Sequence, residues 1–146
     1  KSDCMSLYEL TYCSIASNNL KQKDILKILA KSKEHNKKNN ITGCLLYHNH
    51  EFLQIIEGEE DHILKVFEKI QQDKRHDQII LLEQGKKTNR LFENWNMTYY
   101  DLNSKEHEDV NKQLFIDNLI NFSQLSLKNS NGVNLFWRLA RQLLLT

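Results

Sequence analysis

Asn40-Ile41-Thr42-Gly43-Cys44-Leu45-Leu46-Tyr47, followed shortly by Phe52-Leu53-Gln54-Ile55-Ile56-Glu57-Gly58, contains two runs that read as strands. They extend from Ile41 to His48 and from Phe52 to Glu57, and the short polar turn at Asn49-His50 makes them an antiparallel hairpin. One side chain does not fit. Gln54 sits in the middle of an otherwise apolar strand, where an unpaired amide costs roughly 1 to 3 kcal/mol. A partner for that amide is therefore required, and the partner bears on function.

Outward from the hairpin, Leu7 to Tyr12 sets Tyr8, Leu10 and Tyr12 against Leu7, Glu9 and Thr11, the period-2 pattern of a first strand. Ser17, Asn18 and Asn19 supply turn and cap chemistry, after which Ile25, Ile28, Leu29 and Ser32 recur at helical spacing up to about Lys38. On the other side, Gly58-Glu59-Glu60-Asp61 puts acids at the start of a second helix with the stripe Ile63, Val66, Phe67 and Ile70. Lys74 and Arg75 lie at its end, which suits the helix dipole. Gln78 to Leu82 and Trp95 to Tyr100 read as strands separated by a Gly85-Lys86-Lys87 turn. The order is βαββαββ, and its first six elements match an α+β, ferredoxin-like plan with both helices on one face of an antiparallel sheet.

Beyond Asp101 the composition shifts to Asn, Ser and Leu. Val110, Leu114, Ile116, Leu119 and Ile120 predict a third helix, and Leu135 to Leu144 a fourth, separated by Asn129-Ser130-Asn131-Gly132. The expected organisation is a sheet domain over residues 1–102 and a helical extension over 103–146. Leu135-Phe136-Trp137-Arg138-Leu139 and Leu143-Leu144-Leu145 are expected to cover the free face of the sheet, because a bare apolar face is rarely left wet.

Composition narrows the class. The 146 residues suit one domain with an ordinary core, and the longest apolar run falls well short of the roughly 18 residues of a membrane span. Lys1-Ser2-Asp3-Cys4 has no signal-peptide pattern, so Met5 is the expected natural start and the cytoplasm the expected location. Twenty basic and 19 acidic residues leave a net charge of +1, with no strong electrostatic footprint for nucleic acid or an anionic membrane. Lys37-Lys38 and Lys86-Lys87 are expected to be solvated charges at a helix end and a turn. Cys4, Cys13 and Cys44 have neither disulfide nor zinc spacing, and Cys13 and Cys44 read as small strand residues.

In a ferredoxin-like sheet the first and third strands are neighbours. Tyr12 shares a face with Tyr8 and Leu10, and Gln54 with Phe52 and Ile56, so phenol and amide can meet. Ser32 and Asn36, four apart, extend the stripe of the first helix and face the same interior. A phenol, two amides and a hydroxyl among aliphatic side chains make a lining for a flat, hydrogen-bonding heterocycle.

Over Leu7 to Leu102 the chain resembles the BLUF domains, blue-light sensors that use FAD. The resemblance rests on Leu7-Tyr8-Glu9-Leu10-Thr11-Tyr12-Cys13-Ser14 and on the two hairpin runs quoted above. Asp73-Lys74-Arg75-His76 and Phe92-Glu93-Asn94-Trp95-Asn96-Met97 extend it. It implies a noncovalent flavin, FAD with FMN as the alternative, between the two helices. By the same resemblance Asn36 and Gln54 read the ring edge, Tyr12 stands behind Gln54, and Ile28, Ser32 and His35 lie close to the flavin. Lys69, Asp73 and His76 fall near the ribityl and phosphate end, with Lys69 where relatives often carry arginine.

The resemblance further implies that Tyr12 gives an electron and a proton through Gln54 under blue light. Gln54 is left rotated or tautomerised, and absorption shifts slightly to the red until the state relaxes in darkness. Trp95 and Met97 are the implied relay, and which of the two neighbours Gln54 is open. Short members of the family form homo-oligomers and signal to a protein partner, here an unknown one, without catalysis of their own. Two other readings compete: a sensor fragment of a larger light-regulated enzyme, and a small flavin-dependent oxidoreductase. An RNA-binding sheet is disfavoured by the neutral charge and the lack of that module's aromatic motifs.

Overall fold

The computed structural model describes residues 6–18, 20–92, 96–101 and 130–145. Strand β1 (Leu7–Ala16) leads to helix α1 (Gln22–Lys38), then β2 (Thr42–His48), β3 (Glu51–Glu59), α2 (Glu60–Gln72), β4 (His76–Lys86), β5 (Asn96–Asp101) and α3 (Asn131–Leu145). The five strands lie in the order β4-β1-β3-β2-β5. β1 pairs antiparallel with both β3 and β4, and β2 antiparallel with β3. This is the expected α+β sheet with two helices on one face. The predicted helix over residues 110–120 lies outside the described residues.

Several local expectations shift. Gly85 and Lys86 belong to β4, which runs well past Leu82, so the turn begins at Lys87. β5, the seventh element, whose direction the ferredoxin-like plan left open, runs parallel to β2. The link 87–95 must cross from β4 at one edge to β5 at the other, about 19 Å at the usual strand spacing. Little chain is left to run back along the strands, so β5 starts at the end where β4 stops.

Alternation divides the sheet into two cores. Leu10, Tyr12, Ala16, Leu45, Tyr47, Phe52 and Ile56 face α1 and α2, where they meet Ile25, Leu29, Ile63 and Phe67. Cys44, Leu46, Leu53 and Ile55 point the other way and pack with Phe92 and with Val133, Phe136, Trp137 and Ala140 of α3. A Cβ at Gly43 would lie 2.1 Å from the Ile55 carbonyl oxygen, so only glycine lets β2 lie against β3 there. At Gly132 a Cβ would lie 2.6 Å from Glu9 Oε2, so glycine also admits the first turn of α3 against β1.

The far core contains a buried charge network. Lys87 Nζ lies 3.0 Å from Glu9 Oε1 and 2.7 Å from Glu57 Oε2, and its side chain is only 6% exposed. The expectation of a solvated turn charge at Lys87 is thus overturned, because the turn folds back over two inward-facing carboxylates. Glu57 also accepts Thr42 Oγ1 at 2.9 Å and the backbone N–H groups of Leu91 at 3.1 Å and Phe92 at 2.6 Å. Glu9 accepts Ser130 Oγ at 2.7 Å, and that oxygen accepts Val133 N–H at 3.2 Å, tying α3 to the sheet.

Thr11 Oγ1, in contrast, is fully buried on the same face without a hydrogen-bond partner among the described residues. Thr11→Val removes that hydroxyl at nearly constant shape. Urea unfolding should therefore show unchanged or higher stability, by up to ~1 kcal/mol. A loss above that size would mean that the hydroxyl is satisfied.

Candidate functional site

A cavity of about 420 Å³ opens between α1, α2 and the sheet. Every flavin-contact residue named from the sequence lines it: Tyr12, Ile28, Ser32, His35, Asn36, Gln54, Lys69, Asp73 and His76. Trp95 lies outside the described residues, as does the side chain of Met97. Local structure explains the convergence. β1 and β3 are in register with Tyr12 opposite Gln54, so their near-face side chains meet. On α1, Ile28, Ser32, His35 and Asn36 follow one stripe at i, i+4, i+7 and i+8.

At the deep end the Tyr12 hydroxyl donates to Gln54 Oε1. That bond answers the question raised by a lone amide in an apolar strand, and it leaves Nε2 as the donor end of Gln54. Burial pushes the Tyr12 phenol well above its ordinary range, and the negative charge of Asp73 adds to the shift. The phenol is therefore neutral at any physiological pH and can serve as a donor. Asn36 is 5% exposed, and its side chain makes no hydrogen bond to another described residue. A buried amide turned toward a cavity and unspent by the protein calls for a ligand with complementary edge groups. Ile28, Leu45, Phe52, Ile56, Val66 and Ile70 supply apolar walls around it.

The upper part is polar. Asp73 accepts from Arg75 through Nε at 2.8 Å and Nη2 at 2.6 Å, and hydrogen bonding to that guanidinium holds its carboxyl below the usual range. His76 Nδ1 is 2.7 Å from Ser14 Oγ, and its ring stands edge-on to Tyr12 and Phe52. His35 is exposed at the rim, with Asn39 Nδ2 3.4 Å from its Nε2. Sequence reasoning missed Lys27, Lys31 and Arg75, which also line the cavity. The four-residue spacing of the two lysines on α1 was a legible signal.

Burial lowers the His76 pKa from 6.5, with Asp73 partly opposing the shift and Arg75 adding to it. The unfolded chain then binds more protons in that window, so His76 contributes stability that is complete above pH 6.5 and lost as pH falls through its folded value. Between pH 7 and 5 the wild type should lose more unfolding free energy than His76→Gln. Parallel pH profiles would show that His76 titrates as in the unfolded chain. Asp73, whose pKa is lowered from 3.8, acts only at lower pH.

A cavity with a phenol–amide pair and an unspent asparagine is one half of the identification; the distribution of motifs is the other. The family described as "Sensors of blue-light using FAD" (BLUF) matches residues 7–98, more than half of the chain. The chain belongs to the BLUF family. It is 32% identical over 94 residues to the photoactivated adenylate cyclase subunit beta of Euglena longa, covering 64% of this chain and 11% of that protein. It is 29% identical over 109 residues to the blue light- and temperature-regulated antirepressor BluF of Escherichia coli, covering 75% of this chain and 27% of that protein. The chain thus spans only a small part of these curated relatives. Among solved structures, BlrB, a BLUF protein in its dark state, superposes with a TM-score of 0.69 at 28% identity, covering 95% of this chain and 98% of that one. The site residues present fit the flavin that gives the BLUF family its name.

Proposed function

We propose that this BLUF chain binds flavin in the α1–α2 cavity and reports blue light through rearrangement of the Tyr12–Gln54 hydrogen bond. The observation that carries the reading is that bond itself, set beside the unspent amide of Asn36 at the end of a cavity lined by the family's motif positions. Flavin, when bound, supplies blue absorption and a ring that accepts an electron once excited. The chain supplies the rest. Because the phenol is held protonated, Tyr12 releases an electron only together with its proton, and Gln54 Oε1 is the atom placed to take that proton. An amide protonated on Oε1 becomes neutral only by giving up a proton, and loss of one from Nε2 to the ring that took the electron would leave the imidic acid tautomer, which exchanges the donor and acceptor ends facing the cavity.

Within this reading Asn36, Ser32, His35 and Ile28 orient the ring, Lys69, Asp73 and His76 hold the ribityl and phosphate end, and Trp95 and Met97 relay the change. The sheet domain over 1–102 is the sensor and 103–146 its helical extension. The chain senses rather than catalyses, acts in the cytoplasm, and passes its state to a protein partner or to copies of itself in a homo-oligomer. Relatives named as cyclase subunits and as an antirepressor support an output made by whatever the domain is joined to. Such an output is biased only by its differential affinity for the two states.

The test is the visible spectrum in darkness, under blue light and after a dark wait. A flavin band that moves slightly to the red and returns is expected. Irreversible bleaching, or rapid turnover with reduced nicotinamide, would favour the oxidoreductase instead.

A further inference from the structure

We infer that Ser14 is a positioning residue of the photochemical site: its hydroxyl donates to His76 Nδ1 and holds the imidazole as the Nε2–H tautomer, edge-on to Tyr12, so that the phenol stays on Gln54. The inference rests on the flavin reading above and adds a residue that acts on Tyr12 through His76.

The first support is how the chain brings Ser14 and His76 together. Tyr12, Ser14 and Ala16 alternate onto the near face of β1, and Ser14 is 3% exposed. On β4, Ile79 lies opposite Ser14 and Gln78 opposite Ile15, but His76 rather than Asp77 lies opposite Ala16. The skipped residue is a β-bulge. Without it the pleat would turn His76 to the far face, and with it the ring comes to the near face beside Ser14. The backbone there is tied down as well. His76 N–H donates to the Asp73 carbonyl at 3.2 Å, and Ser17 N–H to the Arg75 carbonyl at 2.8 Å.

The second support is proton accounting. Ser14 Oγ and His76 Nδ1 are 2.7 Å apart. Burial lowers the His76 pKa, with Asp73 opposing and Arg75 adding to the shift, so near neutral pH the ring is uncharged and carries one N–H. Were that proton on Nδ1, it would donate to Ser14 and leave the buried hydroxyl proton without an acceptor, since Ser14 Oγ makes no other hydrogen bond among the described residues. With the hydroxyl donating, the ring proton lies on Nε2 and no buried donor is stranded.

Ring geometry is the third support. Among the described residues two aromatic rings bound Tyr12: Phe67 at 5.7 Å between centroids, and His76 at 6.3 Å and 81°. The imidazole also stands edge-on to Phe52, which lies directly opposite Ser14 on β3. A ring held at Nδ1 keeps this attitude. A ring released there turns about its side-chain bond, and the phenol loses one wall. The arrangement reached under light then returns to the dark one by more routes.

The experiment joins nitrogen NMR of the histidine rings, on the full chain with and without flavin, to the dark-recovery rate after blue light. The signals missing from His76→Leu identify His76. In the wild type, near neutral pH, they should report a proton on Nε2 and a hydrogen-bonded, unprotonated Nδ1, with or without flavin. Ser14→Ala should mix the two tautomers and speed dark recovery by about fivefold, the rate equivalent of one net hydrogen bond. Ser14→Thr should restore both readouts. In a His76→Leu background, Ser14→Ala should change recovery no further. A wild-type proton on Nδ1, or a tautomer and recovery rate unmoved by Ser14→Ala, would overturn the role. So would loss of both in Ser14→Thr, which would assign the effect to packing, or full additivity with His76→Leu. Absence of any reversible red shift in the wild type, with the Nε2–H tautomer present, would instead bring down the flavin reading and the photochemical role of Ser14 with it.

Discussion

Gln54→Leu and Tyr12→Phe should each keep flavin bound and lose the light-induced red shift completely. The expected size of the effect follows from the architecture. Apolar contact from Ile28, Val66 and Ile70 and the amide of Asn36 remain in either variant, so most of the cavity's grip survives. What disappears is the only described phenol–amide pair at its deep end. In Tyr12→Phe the ring can still pack on Phe67, 5.7 Å away between centroids, but Gln54 Oε1 loses its donor and no proton can leave with an electron. In Gln54→Leu the phenol is stranded without the amide that would accept its proton. Tyr12→Phe should also cost about 1 kcal/mol of stability, the net worth of one buried hydrogen bond. Difference spectra after blue illumination read the photochemistry, and a normal reversible shift in either variant would refute the proposed route.

Lys87→Ala is expected to destabilise the fold by about 3 to 5 kcal/mol, because it leaves Glu9 and Glu57 facing each other in the far core without their shared cation. For a domain whose whole stability is about 5 to 15 kcal/mol this is a large fraction. The loss does not measure the worth of the ion pairs. It is mainly the penalty of uncompensated buried charge, so Lys87→Met combined with Glu9→Gln should recover part of it. Urea unfolding followed by fluorescence distinguishes the outcomes. A cost below about 1 kcal/mol would return Lys87 to the solvated role that its sequence context suggests.

These two sites differ in how far the sequence revealed them. Tyr12 and Gln54 were legible because strand alternation has a fixed period of two, and because strand order in a ferredoxin-like sheet makes β1 and β3 neighbours. Ser32 and Asn36 were legible for the analogous reason on a helix. Even the covering of the second sheet face by Phe136 and Trp137 followed from the need to bury an apolar stripe. Lys87 gave no such signal. Its neighbours Gly85, Lys86 and Thr88 read as an ordinary polar turn, and its partners lie 78 and 30 positions earlier in the chain.

The sequence by itself thus determined which segments are strands and helices, which side chains share a face, and that a phenol, two amides and a hydroxyl converge between sheet and helices. Only the tertiary structure decided that β5 runs parallel to β2, that Glu9 and Glu57 share a buried lysine, and that Lys27, Lys31 and Lys69 ring one opening. The physical reason is range. Periodicity is imposed by the local geometry of the backbone, whereas the partner of a charge depends on what distant segments place opposite it, and a lysine in a polar loop looks the same before and after that partner is chosen.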